Sequence, residues 1–193
     1  MEIADKSLIQ AHISGDPDAF AQIVRQYGPQ LLGYINKLNG CDHSSEDVFQ
    51  ETFKRVHEKS HTFKGERLKP WIYRIATNVV YDQARRKKRV KFVSLNISSQ
   101  EDGTDAAAMV QADPETDPKR QVLKKERAHK VRQALETLPK RQKAALVLSY
   151  YQQLSYAEVA DVMGCSVGTV KTQVFRALRA LAGKLPNMSG GVI

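Results

Sequence analysis

The sequence predicts an all-α protein made of two small helical domains joined by a flexible acidic linker, and three observations carry that reading. Apolar residues recur at helical spacing almost everywhere outside the middle of the chain, and no stretch alternates with the strict period of a half-buried strand. The segment from Ser98 to Arg120, SSQEDGTDAAAMVQADPETDPKR, is small, acidic and proline-containing, with almost nothing large to bury, so it reads as a spacer. Towards the C-terminus, LSYAEVADVMGCSVGTVKTQVFRALRAL, Leu154 to Leu181, reads as two amphipathic helices separated by only a glycine, a cysteine and a serine. A length of 193 residues admits one domain with a sizeable core or two small ones. The expected division is 1–92 for the first domain, 93–118 for the linker, 119–186 for the second domain and 187–193 for a disordered tail.

In the first domain, Asp16 followed by Pro17 supplies an N-cap and a favoured first helical residue, opening a helix whose Phe20, Ile23, Val24, Tyr27 and Leu31 face inward. Ser44 or Ser45 starts a second helix, in which Phe49, Phe53 and Val56 repeat at spacings of four and three. A third begins after Lys69, with Pro70 in its first turn, and WIYRIATNVVYDQARRKKR runs on without a breaker. Along it Arg74, Asn78, Tyr81, Arg85 and Lys88 form one polar stripe, while Ile72, Ile75, Ala76 and Val79 form the buried side.

In the second domain, Ser155 and Glu158 make a capping box, satisfying otherwise orphaned amides at the start of a helix that is expected to bury Val159, Ala160 and Met163. Gly164 can take the left-handed conformation that ends this helix, and Ser166 can cap the next almost at once. The two axes must cross steeply, which is the helix-turn-helix shape. A wheel of about 100° per residue puts Val167, Val170, Val174, Leu178 and Leu181 on the packing side of the second helix. Thr169, Thr172, Arg176 and Arg179 fall opposite, with Lys171 and Phe175 on one flank and Gln173 on the other.

Charge is distributed in blocks. The net charge of +9 divides into −5 over residues 1–53, +10 over 54–91, −6 over 92–118 and +10 over 119–193. Two basic blocks in one small chain point to a polyanionic partner. A helix such as the second of the pair can lie in the DNA major groove. There arginine pairs with guanine edges, threonine contacts phosphate or a thymine methyl, and Phe175 can meet a methyl as well.

The stretch LPKRQKAALVLSYYQQLSYAEVADVMGCSVGTVKTQVFRALRAL closely resembles the promoter-recognising fourth region of bacterial sigma factors, and SEDVFQETFKRV with WIYRIATNVVYDQARR resembles the second region of the small extracytoplasmic-function (ECF, group IV) class. The resemblance covers most of the chain outside the termini and linker, in the right order. It implies a cytoplasmic, non-catalytic DNA-binding subunit without cofactors, which joins core RNA polymerase through its clamp helices and flap and directs transcription initiation. By position, Lys171, Thr172, Phe175 and Arg176 match the family's residues facing the minus-35 element, to which the wheel adds Thr169 and Arg179. The first domain is expected to hold and open the minus-10 element with Arg74, Asn78, Tyr81 and Arg85, Asn78 matching the position that contacts a flipped-out base. HTFKGERLKP matches the loop enclosing such a base, and Phe63, Lys64, Arg67 and Trp71 supply stacking and positive charge. For Phe63 and Trp71, each taken alone, packing in the core is the favoured role over base stacking, since small helical domains have few large residues to spare. Glu46, Asp47, Gln50 and Glu51 match the polymerase-docking surface, although acids also favour a helix N-terminus through its dipole. An anti-sigma partner is implied as well.

HEKSH, His57 to His61, fits the zinc-protease pattern H-E-x-x-H. A catalytic zinc needs a third protein ligand and an open cleft, and no downstream motif nominates one, so no metal site is expected. A helix-turn-helix repressor is the other alternative, but it calls for a ligand pocket, phosphorylation site or dimer seam instead of a second basic helix with aromatics. No run of about 18 apolar residues exists, and MEIADKSLIQ lacks the basic flank and apolar stretch of a signal peptide, so no membrane insertion is expected. Cys41 and Cys165 are expected to be buried thiols in a reducing compartment.

Overall fold

The computed structural model describes residues 5–39, 44–93 and 118–185. The expectations for Cys41, the spacer and the C-terminal tail lie outside the described residues, as does the side chain of Lys88. Among the described residues every regular element is helical: α1 Asp5–Ile13, α2 Pro17–Asn39, α3 Ser44–Glu58, a 3-10 turn Ser60–Thr62, α4 Leu68–Val93, α5 Pro118–Glu136, α6 Lys140–Leu146, a π-turn Val147–Tyr151, α7 Tyr156–Met163 and α8 Val167–Lys184.

In the first domain α2, α3 and α4 pack around fully buried Ile23, Leu31, Ile35, Val48, Val56, Leu68, Ile72 and Val80. The Asp16 carboxylate accepts from the Asp18 amide at 2.9 Å, so the expected cap forms and Pro17 opens α2. The Phe49 ring of α3 packs over Gly28 of α2. Tyr34 and Tyr73 pack ring against ring at 5.0 Å, and the Tyr34 hydroxyl is 2.7 Å from Thr77 Oγ1. Burial holds both phenols in their neutral form, raising each pKa.

The α1 helix was not expected. Its buried residues, Leu8 and Ile9, are adjacent and give no repeat at three or four, so the period that betrays an amphipathic helix is missing. It contributes through Asp5, whose carboxylate accepts from the Leu68 amide at 2.8 Å and from the Tyr27 hydroxyl. Asp5 thereby caps α4 from another helix. Replacing it with alanine is expected to cost about 1 kcal/mol, read as a lower urea midpoint with unchanged slope.

In the second domain α6 packs on α8 and α7 on α8, around fully buried Ala144, Val147, Leu148, Val159, Val170 and Ala177. The π-turn ends α6 with Gln152 N bonding Val147 O at 3.0 Å, and Gln153 follows in the left-handed region at φ 55°. This widened turn leaves Gln152 buried. The two domains are also packed against each other, α7 lying on α4.

Candidate nucleic-acid interface

The helix-turn-helix forms through local chemistry. Ser155 Oγ accepts from the Glu158 amide at 3.3 Å, while Glu158 Oε2 accepts from the Ser155 amide and hydroxyl, each at 2.8 Å, completing the capping box. Gly164 takes φ +61°, and Cys165 N closes the turn on Ala160 O at 3.0 Å. Ser166 Oγ then accepts from the Thr169 amide at 3.2 Å to start α8.

The packing faces depart from the wheel in three places. Val162 is buried where Met163 was expected, and Met163 is half-buried at the edge of α7 facing the other domain. On α8 the buried line is Val170, Val174 and Ala177, whereas Val167 is 39% and Leu178 38% exposed. Leu181, also expected on the packing side, is half-buried against the core. Cys165 is a half-buried thiol, not a fully buried one, because it occupies the turn itself.

The outward face of α8 presents Lys171, Thr172, Phe175, Arg176 and Arg179, all exposed. Phe175 is 64% exposed, unusual for a ring with a packed core one turn away, and it stands among cations. Thr169 is half-buried, its hydroxyl 2.9 Å from Ser166 Oγ, and Thr172 Oγ1 bonds back to Gly168 O at 3.0 Å. Thr172 therefore offers its methyl and an acceptor lone pair more readily than a free donor.

On α4, Arg74, Asn78 and Arg85 are exposed and Tyr81 is half-buried with its hydroxyl enclosed and lacking a protein partner. Burial raises the Tyr81 pKa. The preceding loop brings Phe63 and Trp71 together edge to face at 5.4 Å, both half-buried against the core. Gly65 lets the Phe63 ring lie on its backbone, 3.2 Å from where a Cβ would be. Lys64 and Arg67 are exposed beside this pair, and Arg67 forms an ion pair with Glu158 of the other domain. Asn78, Tyr81 and Arg85 line a cleft of about 530 Å3 whose opposite wall is Lys140, Arg141, Val162 and Met163.

Glu46, Asp47 and Gln50 are exposed on the first turns of α3. Glu51 is turned towards Arg55 at 2.7 Å, and Arg55 also reaches Asp82 at 3.4 Å, which holds Arg85 at 2.5 Å. Although burial pushes the Asp82 carboxyl up, the bonds from Arg85 and Arg55 outweigh it and hold its pKa below the usual value. The acidic face of α3 is thus tied by charge to the basic stripe of α4. Sequence reasoning did not find Arg55, Asp82, Lys140, Arg141, Gln152 or Glu158 as part of either surface; no motif marks residues whose role depends on which helix lies opposite.

The H-E-x-x-H pattern does not form a two-histidine face. The α3 helix ends at Glu58, and His61 lies in the separate 3-10 turn. His57 packs instead against the His12 and Phe20 rings at 5.0 and 5.4 Å. Among the described residues no group of three or more histidine, cysteine or acidic side chains is placed to hold a metal ion, and no helix is long and apolar enough to cross a membrane.

An exposed basic helix in a helix-turn-helix and a second basic helix beside an aromatic-lined loop give the chain two cationic surfaces of the kind that nucleic-acid-binding proteins use. Residues 128–181 match the family model for Sigma-70, region 4, and residues 23–90 match that for Sigma-70 region 2. The ECF RNA polymerase sigma factor SigW of Bacillus subtilis (strain 168) is 31% identical over 97% of this chain and 100% of its own length. The RNA polymerase sigma-H factor of Pseudomonas aeruginosa is 30% identical over 92% of this chain and 91% of its own. The fold is similar to that of the sigma factor RpoE in its co-crystal with the anti-sigma factor NepR from Bartonella quintana, with a TM-score of 0.71 at 25% identity, covering 89% of this chain and 99% of that one. The chain belongs to the ECF RNA polymerase sigma factors, subunits that direct polymerase to promoters. The region 2 match accounts for the first domain, which a lone helix-turn-helix repressor would leave unexplained.

Proposed function

We propose that this chain is a group IV sigma factor of the cytoplasm that catalyses nothing itself, binds core RNA polymerase, and divides promoter recognition between two domains. The observation that carries the reading is the outward face of α8, where Lys171, Phe175 and Arg176 are exposed on a helix fixed by caps at its own start. In this reading the second domain, 119–186, reads the minus-35 element with these residues together with Thr169, Thr172 and Arg179. The first, 1–92, holds the minus-10 element: Asn78, Arg74, Tyr81 and Arg85 face the strand, and Phe63, Trp71, Lys64 and Arg67 enclose an unstacked base. Glu46, Asp47, Gln50 and Glu51 meet the polymerase clamp, and the flap meets the second domain. The linker, 93–118, spans the two. An anti-sigma protein holds the factor idle, in keeping with the NepR complex of the related RpoE.

Reconstitution with core polymerase on a promoter library, reading start sites and sequence preference together, tests the proposal. Selective initiation at one pair of elements is expected; initiation no different with and without the chain would sink it. Within that system Asn78→Ala is expected to leave minus-35 duplex binding intact and to slow open-complex formation roughly tenfold, the worth of about 1.4 kcal/mol for one polar contact made only by the displaced base. An unchanged melting rate would remove Asn78 from the assignment.

A further inference from the structure

The two domains meet along a seam beside the residues assigned to the minus-10 element, of which Arg74, Asn78 and Arg85 stay exposed. At one end the Tyr73 hydroxyl of α4 donates to Gln152 Oε1 at 2.6 Å, with both side chains buried. Beside it Lys37 Nζ lies 5.0 Å over the Tyr151 ring. The Glu158 carboxylate is shared: Oε2 completes the capping box of α7, and Oε1 takes the Arg67 guanidinium from the minus-10 loop. The Glu158 side chain is only 20% exposed, so the pair is partly sheltered from solvent on that side.

The other end of the seam is poorly matched. There the Tyr81 hydroxyl is enclosed with no partner, while Arg85 in the same cleft is already held by Asp82 on its own helix. A contact latched at one end and mismatched at the other suits a reversible docking better than a permanent domain interface. What it covers is specific: Arg67 is neutralised by a carboxylate, Tyr81 is enclosed, and Asn78 faces α6 and α7 across the cleft. A DNA strand that takes Arg67 must displace Glu158 from it with phosphate, which removes one of the bonds holding α7 to α4.

We propose that docking of α7 on α4 is a self-inhibitory latch, with Glu158 and the Tyr73–Gln152 bond as its catch, that lowers the population of chain able to take the minus-10 strand without any second protein. The proposal rests on the minus-10 assignment above. Apparent affinity for that strand is the intrinsic affinity multiplied by the fraction of chain that is open, so loosening the catch raises it without adding a DNA contact.

The test uses the full chain carrying Glu158→Gln and Tyr73→Phe. Glutamine still serves in a capping box, so the first change removes the charge facing Arg67 while keeping the α7 cap; the second removes one hydroxyl and keeps the ring. Three quantities are measured: the radius of gyration in solution, binding of a single-stranded minus-10 oligonucleotide without polymerase, and initiation by preassembled holoenzyme. The expected result is a larger radius and oligonucleotide binding tightened about fivefold or more, with preassembled initiation at the wild-type rate. If far-ultraviolet circular dichroism shows the double variant unfolded, Glu158→Gln alone carries the test, with changes in the same direction. Wild-type radius and wild-type binding overturn the latch, as does an expanded chain that binds the strand no better. Wild-type chain that supports no initiation with core polymerase would overturn the function, a separate outcome.

Discussion

Ile72→Ala is expected to lower stability by about 2–5 kcal/mol and to depress promoter melting even though no group assigned to DNA has been altered. Ile72 is fully buried on α4, on the side of the helix that faces α2 and α3, and Arg74 and Asn78 project from the other side. Truncation removes three methyl or methylene groups from a close-packed core, and the surrounding helices can collapse onto the space only in part. For a chain of this size each kcal/mol moves the unfolding midpoint by roughly 2–4 °C, so a drop of roughly 5–15 °C is the measurable result. Ile72→Val should cost only about 0.5–1.5 kcal/mol, because one methylene is lost and the branch at Cβ is kept. The pair of variants separates a packing role from any chemical one. If alanine and valine behave alike, Ile72 is not positioning the helix.

The contrast between what was legible in the sequence and what was not follows the range of the interactions. The capping box at Ser155 and Glu158, the left-handed Gly164 and the Ser166 cap are each completed within a few residues, so spacing alone predicts them. The start of α2 at Pro17, where the Asp16 carboxylate caps the Asp18 amide, was readable for the same reason. Burial of a given helix position depends instead on the partner. Val167 and Leu178 share a wheel face with Val170 and Val174, yet remain over a third exposed, whereas Ala177, not counted on that face, is fully buried. Gln152 is the extreme case: a polar residue after a helix is ordinarily solvated, and only the π-turn leaves it buried and bonded to Tyr73, 79 positions earlier in the chain. Glu158 was identified correctly as a cap, but one carboxylate oxygen was left over, and nothing local says where it goes. Phe63 and Trp71 pack against the core, the favoured role, but only in part, each keeping some surface beside Lys64 and Arg67.

Arg176→Ala is expected to weaken minus-35 duplex binding by about 1–3 kcal/mol, roughly 5- to 150-fold, and the pattern of the loss decides what Arg176 touches. Its position on the exposed face of α8, next to the outward ring of Phe175 and one turn beyond Thr172, lets it reach either a base edge or the phosphate rail. A bidentate pair with guanine uses the planar fork of the guanidinium, so alanine should relax preference at one base pair and leave affinity for sequences lacking that guanine nearly unchanged. A phosphate contact carries no sequence information, so its loss should fall evenly on all duplexes and reduce the slope of log affinity against log salt by about 1. Arg176→Lys sharpens the distinction: lysine keeps the charge and loses the fork, so it restores binding if the partner is phosphate and fails to restore discrimination if the partner is guanine. The exposed Phe175 ring favours the base-edge outcome, because an apolar ring held 64% exposed beside the arginine gains by desolvation only if the helix enters the groove deeply enough to bring it against a methyl. At that depth the neighbouring guanidinium is level with the base edges.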